Sequence, residues 1–235
     1  MTNFFKKILI TSSFFLSGSI FSMQGLSVIT ITTDDPEGYV EWLTSNSSVF
    51  QEAAGDDVSS SGICSPIAGG REVNEHYVWS FHPSTSAMVS NRQLSSEDAQ
   101  RAIRRISSKR ELVRRDMWSV MKGDAVGEAG TTNANYNLMS ETDDANAYLA
   151  GITALEKAAN DNGFAVSFAF YSATAAGDRA GMVMVSVQAE TVDELGRFLD
   201  QRQSSWMSEA LSEFDVVRNP VEDFLMNCST ISVNS

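Results

Sequence analysis

The chain has 235 residues, 43% of them apolar and 20% charged, with 30 acidic against 17 basic side chains and a formal net charge of −13. So acidic a chain repels nucleic acid and anionic membrane, which excludes both as general partners. Its two cysteines, Cys64 and Cys228, lack the close spacing of a zinc-ligand pair.

Lys6 and Lys7 precede an apolar stretch, Ile8 to Phe21, that ends among small residues. This is the layout of a secretory signal, so residues 1–23 are expected to be removed and the protein to be periplasmic or secreted. The stretch is short, with Thr11, Ser12 and Ser13 in its middle, which speaks against a membrane span. Without the two lysines, 15 basic residues face 30 acidic ones, a mature net charge near −15. An oxidising compartment favours a Cys64–Cys228 disulfide, with two buried thiols as the alternative.

The next feature is an internal repeat. Thr33-Asp34-Asp35-Pro36-Glu37-Gly38-Tyr39-Val40 is echoed by Thr142-Asp143-Asp144-Ala145-Asn146-Ala147-Tyr148-Leu149, with four identities in register. Each copy follows a strand-like run, 27–32 and 136–139, and leads into a helical stretch. The second copy is four residues shorter before the landmark that ends the helix, so the first helix carries an insertion. The aspartate pairs stand where helix N-caps belong, and capping accounts for them more simply than acid–base or metal chemistry.

Two strands follow each helix: 58–67 and 75–82 in the first copy, 164–171 and 182–188 in the second. A long helix is predicted to close each unit, over 96–121 and 192–214. Ala125-Val126 and Asp215-Val216-Val217 are candidates for a fourth strand. The order is strand, helix, strand, strand, helix, twice. The units span 24–123 and 134–235 with a linker at 124–133. Helices cover one sheet face of each unit, so the other faces are expected to meet.

This element order and duplication resemble the ferredoxin-like dimeric α/β-barrel superfamily, which includes antibiotic-biosynthesis-type monooxygenases and chlorite dismutase-like haem proteins. The resemblance spans about 27–228 and implies an α+β fold of two βαββα(β) repeats with antiparallel sheets face to face. It also implies a site for a small organic molecule or haem, in the cleft between sheet and helices or between the sheets. The iron-binding histidine of the haem enzymes lies in the C-terminal half, and this chain has no histidine after His82. No cofactor and no metal site are therefore expected.

Strand 75–82 alternates Tyr77, Trp79 and Phe81 with His76, Val78, Ser80 and His82. Strand 182–188 alternates Val183, Val185 and Val187 with Met182, Met184, Ser186 and Gln188. The wholly apolar faces are assigned to the helix-covered core and the mixed faces to the space between the sheets. On that assignment Ser80, Tyr171, Met182, Met184, Ser186 and Gln188 line a ligand site, and His76 or His82 is the candidate general base. The histidines lie six residues apart along one strand, about 20 Å at strand rise, too far to share one metal ion.

There is no HExxH, GxSxG, Walker loop, GxGxxG or CxxC. Eight basic residues fall between Arg101 and Lys122, and Arg101, Arg104, Arg105 and Lys109 could meet an anionic partner on an outer helix face; a solvated face is the plainer reading. Three functions follow. The first is an exported binding protein for a small, largely apolar ligand between the sheets. The others are a cofactor-independent oxygenase of the same fold and an interaction module docking through helix 96–121. The residues leave open whether the protein is an enzyme.

Overall fold

The computed structural model describes residues 23–72, 74–90, 95–123 and 128–234. Residues 1–22 of the expected signal at 1–23, the Ala125-Val126 run and linker residues 124–127 lie outside them.

The first unit runs β1 (Gly25–Thr32), α1 (Pro36–Ser45), α2 (Ser47–Ala54), β2 (Ser60–Ala68), β3 (Glu75–His82), α3 (Thr85–Ser90), α4 (Glu97–Ile106) and β4 (Glu111–Lys122). The second runs β5 (Thr132–Glu141), α5 (Ala145–Asp161), β6 (Val166–Ala175), β7 (Val183–Ala189), α6 (Val192–Leu199), α7 (Ser205–Ser212) and β8 (Asn219–Val233). The extra residues of the first copy break its helix at Asn46, which ends α1 and begins α2.

The duplication extends to single atoms. Asp35 caps α1 by accepting from the Gly38 amide, and Asp144 caps α5 by accepting from the Ala147 amide. Thr33 Oγ1 donates to the Lys109 carbonyl at 2.8 Å, and Thr142 Oγ1 to the Val217 carbonyl at 2.6 Å. Each threonine thus ties the start of its helix to the turn before its unit's fourth strand. Tyr39 and Tyr148 are buried at the same step of the repeat, each beneath an arginine, Arg110 and Arg218.

Those fourth strands correct the expected closing helices. The segment 96–121 is helical only to Ile106, and Glu111–Lys122 is a strand. The apolar positions at 103, 106, 113, 117 and 120 suit a helical stripe, yet Asp116, Trp118 and Val120 also share one face at period two. Pairing decides the outcome, because β4 satisfies the open edges of both β1 and β6. In the second unit Asp215–Val217 is a 3-10 turn and the strand begins at Asn219.

The strands close in the order β1-β3-β2-β8-β5-β7-β6-β4. The two sheets therefore face each other and also join at both seams, β4 with β6 and β8 with β2. Cys64 stands opposite Cys228 across the second seam, and the two are disulfide-bonded, 164 residues apart in sequence. Three apolar layers result: the barrel interior, and an outer core between each sheet and its helices. No described helix is long and apolar enough to cross a membrane.

Candidate functional site

The first sheet faces the opposite way from the expectation. Tyr77, Trp79 and Phe81 join the barrel interior, while Val78 packs in the outer core and Ser80 lines the cleft beneath the helices. Both faces of β3 are buried, so apolar character alone does not tell them apart. Space does: Gly62 on β2 pairs with Trp79, and a Cβ at Gly62 would lie 2.3 Å from Cζ2 of that indole. In the second sheet the expectation holds. Val183, Val185 and Val187 pack beneath the helices, and Met184, Ser186 and Gln188 line the interior with Tyr171. Met182 sits in the turn before β7, outside that lining.

Neither histidine lines the barrel cavity. His82 has both ring nitrogens engaged: Nδ1 lies 2.7 Å from the Asp57 carbonyl, so it is the donor, and Nε2 accepts from Ser27 Oγ at 3.0 Å. His76 Nδ1 lies 3.0 Å from Ser65 Oγ. Burial lowers both imidazoles below their ordinary range, and in His82 the Asp57 carbonyl offsets part of that.

The interior holds a cavity of about 80 Å³. Its walls are largely aromatic and sulfur-bearing, with Trp79, Phe81, Trp118, Tyr171, Met184 and the Cys64–Cys228 bridge among them. Of the lining residues Val28, Trp79, Asn133 and Gln188 keep partial exposure. Asn133 Nδ2 donates to Asn135 Oδ1 at 2.8 Å, and Asn135 Nδ2 to the Cys228 sulfur at 3.3 Å. Burial alone pushes the Tyr171 phenol well above its usual range.

An ionic network bounds the cavity on the side of Asp116 and Arg179. Arg179, in the β6–β7 turn, donates from Nη1 to Asp116 at 3.2 Å and from Nη2 to Glu222 at 3.0 Å. Arg114 bonds Asp116 and Asp178, and Arg71 grips both oxygens of Glu222 at 3.0 Å. Burial opposes the ionised form of Glu222, but Arg71 and Arg179 outweigh it and hold that carboxyl below its ordinary range. Three arginines meet three carboxylates, so the network is close to neutral.

Three residues of the cavity's lining carry a buried polar atom with no partner among the described residues: Arg179 Nε, Asn137 Oδ1 and Ser186 Oγ. Asn137 and Ser186 are direct neighbours across β5 and β7. Arg179 retains only 4% of its surface. A buried polar group without a partner costs about 1–3 kcal/mol, so three around one space mark it as a place for something that bonds to them. The space has room for roughly five waters, or for a small organic molecule of a few heavy atoms.

Sequence reading missed Asp116, Trp118 and Arg179 as site residues, whereas Trp79, Tyr171 and Asn137 are the pocket groups that the oxygenase reading expects, and all three line the cavity. Asn133-Asn135-Asn137 on one face of β5 is a period-two polar signal that was open to reading. Asp116 and Trp118 were hidden in the supposed helix. Of the basic group, Arg101 pairs with Asp98 and Lys109 with Asp35, while Arg104 and Arg105 are exposed on α4.

Structures of similar fold span nearly the whole chain. A provisionally named monooxygenase from Fusobacterium nucleatum subsp. nucleatum is 10% identical, covering 92% of this chain and 96% of its own at a TM-score of 0.57. An anthrone oxidase-like protein is 14% identical, covering 90% and 93% at 0.52. A variant of the chlorite dismutase of Candidatus Nitrospira defluvii is 12% identical, covering 89% and 92% at 0.54. The fold is therefore a dimeric α/β barrel, here formed within one chain. No family model and no curated protein matches the sequence.

Histidine ligation of haem does not suit the second unit. The cleft beneath the second unit's helices offers no histidine, and both histidines of the chain belong to the first unit's β3. Among the described residues no group of three or more His, Cys, Asp or Glu side chains could hold a metal ion.

Proposed function

We propose that this is an exported binding protein that holds a small, largely apolar organic molecule inside its barrel. The observation that carries the reading is that Arg179, Asn137 and Ser186, which line one cavity with aromatic and methionine walls, each carry a buried polar atom without a partner among the described residues. A ligand with a hydrogen-bond acceptor for Arg179 and a donor for Asn137 satisfies both, and Ser186 can serve either way. The methionine and aromatic walls take its apolar body. The signal-like start and the disulfide support export to an oxidising compartment.

Native mass spectrometry of protein purified from its own host tests this. Wild type is expected to carry a small molecule, and Ser186→Leu, which fills the space and removes a polar contact, is expected to lose it. A wild-type mass equal to the bare chain contradicts the reading.

The names of the similar structures favour a second reading, an oxygenase acting on a molecule in the same cavity. With both histidines outside the barrel, His76 and His82 are no longer the natural base. Oxygen consumption on addition of the co-purified molecule separates the two.

A further inference from the structure

We infer that the cleft between the first unit's sheet and its helices is a second, independent binding site, taking an aliphatic carboxylate with its chain against the sheet and its head on Arg110 and Arg115. The cleft has a volume of about 300 Å³, at the lower end of small-molecule sites, with Ile29, Trp42, Leu43, Phe50, Val78 and Ile103 in its walls. Among the described residues its only charged lining residues are Arg110 and Arg115. In a chain of net charge −13, a wall with two cations and no carboxylate is the reverse of the average surface.

The duplicated cleft of the second unit sharpens the point. It is similar in size, about 280 Å³, and is lined by Arg202, Arg218 and Asp223. Arg218, which lies over Tyr148, is bonded to Asp215 three residues before it. Arg110 lies in the same way over Tyr39 and donates from Nη1 to its hydroxyl at 2.8 Å, but the residue three before it is Ser107. Among the described residues neither Arg110 nor Arg115 pairs with a carboxylate. The first unit thus keeps the arginine and lacks the internal acid, leaving guanidinium donors free for an external one. Trp42 Nε1, buried without a partner, adds another donor in the wall.

Calorimetric titration of the full chain with octanoate, decanoate, n-octanol and octylammonium tests the site. Octanoate is expected to bind at least tenfold more tightly than octylammonium, and each added methylene to tighten binding about fourfold until the cleft is full. Arg115→Glu, on an exposed strand position where folding is not at stake, is expected to weaken octanoate about tenfold and leave n-octanol unchanged. Arg110→Gln is expected to do the same if Tyr39 stays buried. Ser186→Leu, in the barrel, is expected to leave octanoate binding intact. The inference is overturned if octanoate binds no better than octylammonium, if Arg115→Glu has no effect, or if Ser186→Leu abolishes binding. Binding to phosphatidylglycerol vesicles with none to octanoate overturns it too, since that is headgroup docking rather than a pocket.

Discussion

Asp116 of the first unit and Arg179 of the second meet at one side of the barrel interior, 3.2 Å apart, with side chains only 2% and 5% exposed. A buried pair adds little net stability over an apolar substitute, but removing one partner strands the other.

Asp116→Ala is therefore expected to cost about 3–5 kcal/mol, because Arg179 and Arg114 both lose their shared acceptor. Asp116→Leu combined with Arg179→Met is expected to recover most of that loss. Urea unfolding of Asp116→Leu, Arg179→Met and the double variant gives the cycle, with Asp116→Ala measured beside it. A single-variant cost below about 1 kcal/mol would show that water already screens the pair.

The Cys64–Cys228 bond closes a loop of 164 residues and staples the β2–β8 seam. Restricting so long a loop in the unfolded chain is worth about 2–5 kcal/mol. Cys64→Ala with Cys228→Ala is expected to lower stability by that amount in reversible denaturation. An unchanged midpoint counts against a stapled seam.

Gly62→Ala places a methyl 2.1 Å from the Ser229 carbonyl and 2.3 Å from Trp79. Since β2 is held on both sides by β3 and β8, the backbone cannot give way easily. A loss of about 1–3 kcal/mol is expected, with a change in Trp79 fluorescence that Gly196→Ala, in open space, does not produce. Equal behaviour of the two variants would place Trp79 elsewhere.

Acid should destabilise the protein in two steps. His76 and His82 have folded values below the ordinary 6.5, so the unfolded chain binds more protons there. Their contribution is complete above 6.5 and is lost as pH falls from 6.5 toward the folded values. Glu222 is also lowered, from 4.5, so its contribution is present above 4.5 and is lost as pH falls through its folded value. Replacing both histidines with Gln is expected to remove the first step and keep the second, measured as unfolding free energy against pH. Stability that rises between pH 7 and 5 contradicts this.

Much of the fold was legible because its signals are local. The Thr-Asp-Asp repeat located both caps, and the alternation at 75–82 located β3 to the residue. What was not legible depends on distant partners. Residues 111–122 carry both helical and alternating apolar patterns, and only the edges of β1 and β6 select the strand. The inward face of β3 is set by Gly62 on another strand. The Asp116–Arg179 pair joins residues 63 apart in sequence, and nothing near either one announces the other. In the second sheet the valine face and the Met184-Ser186-Gln188 face were told apart correctly, since one is uniform and the other is not.

The most direct measurement is a crystal structure of the protein purified from its own host. The account predicts continuous density for a small molecule in the barrel, with an acceptor within hydrogen-bond distance of Arg179 Nε and polar atoms on Asn137 and Ser186. Isolated waters on those three groups, with no larger molecule between Trp79 and Tyr171, would contradict it.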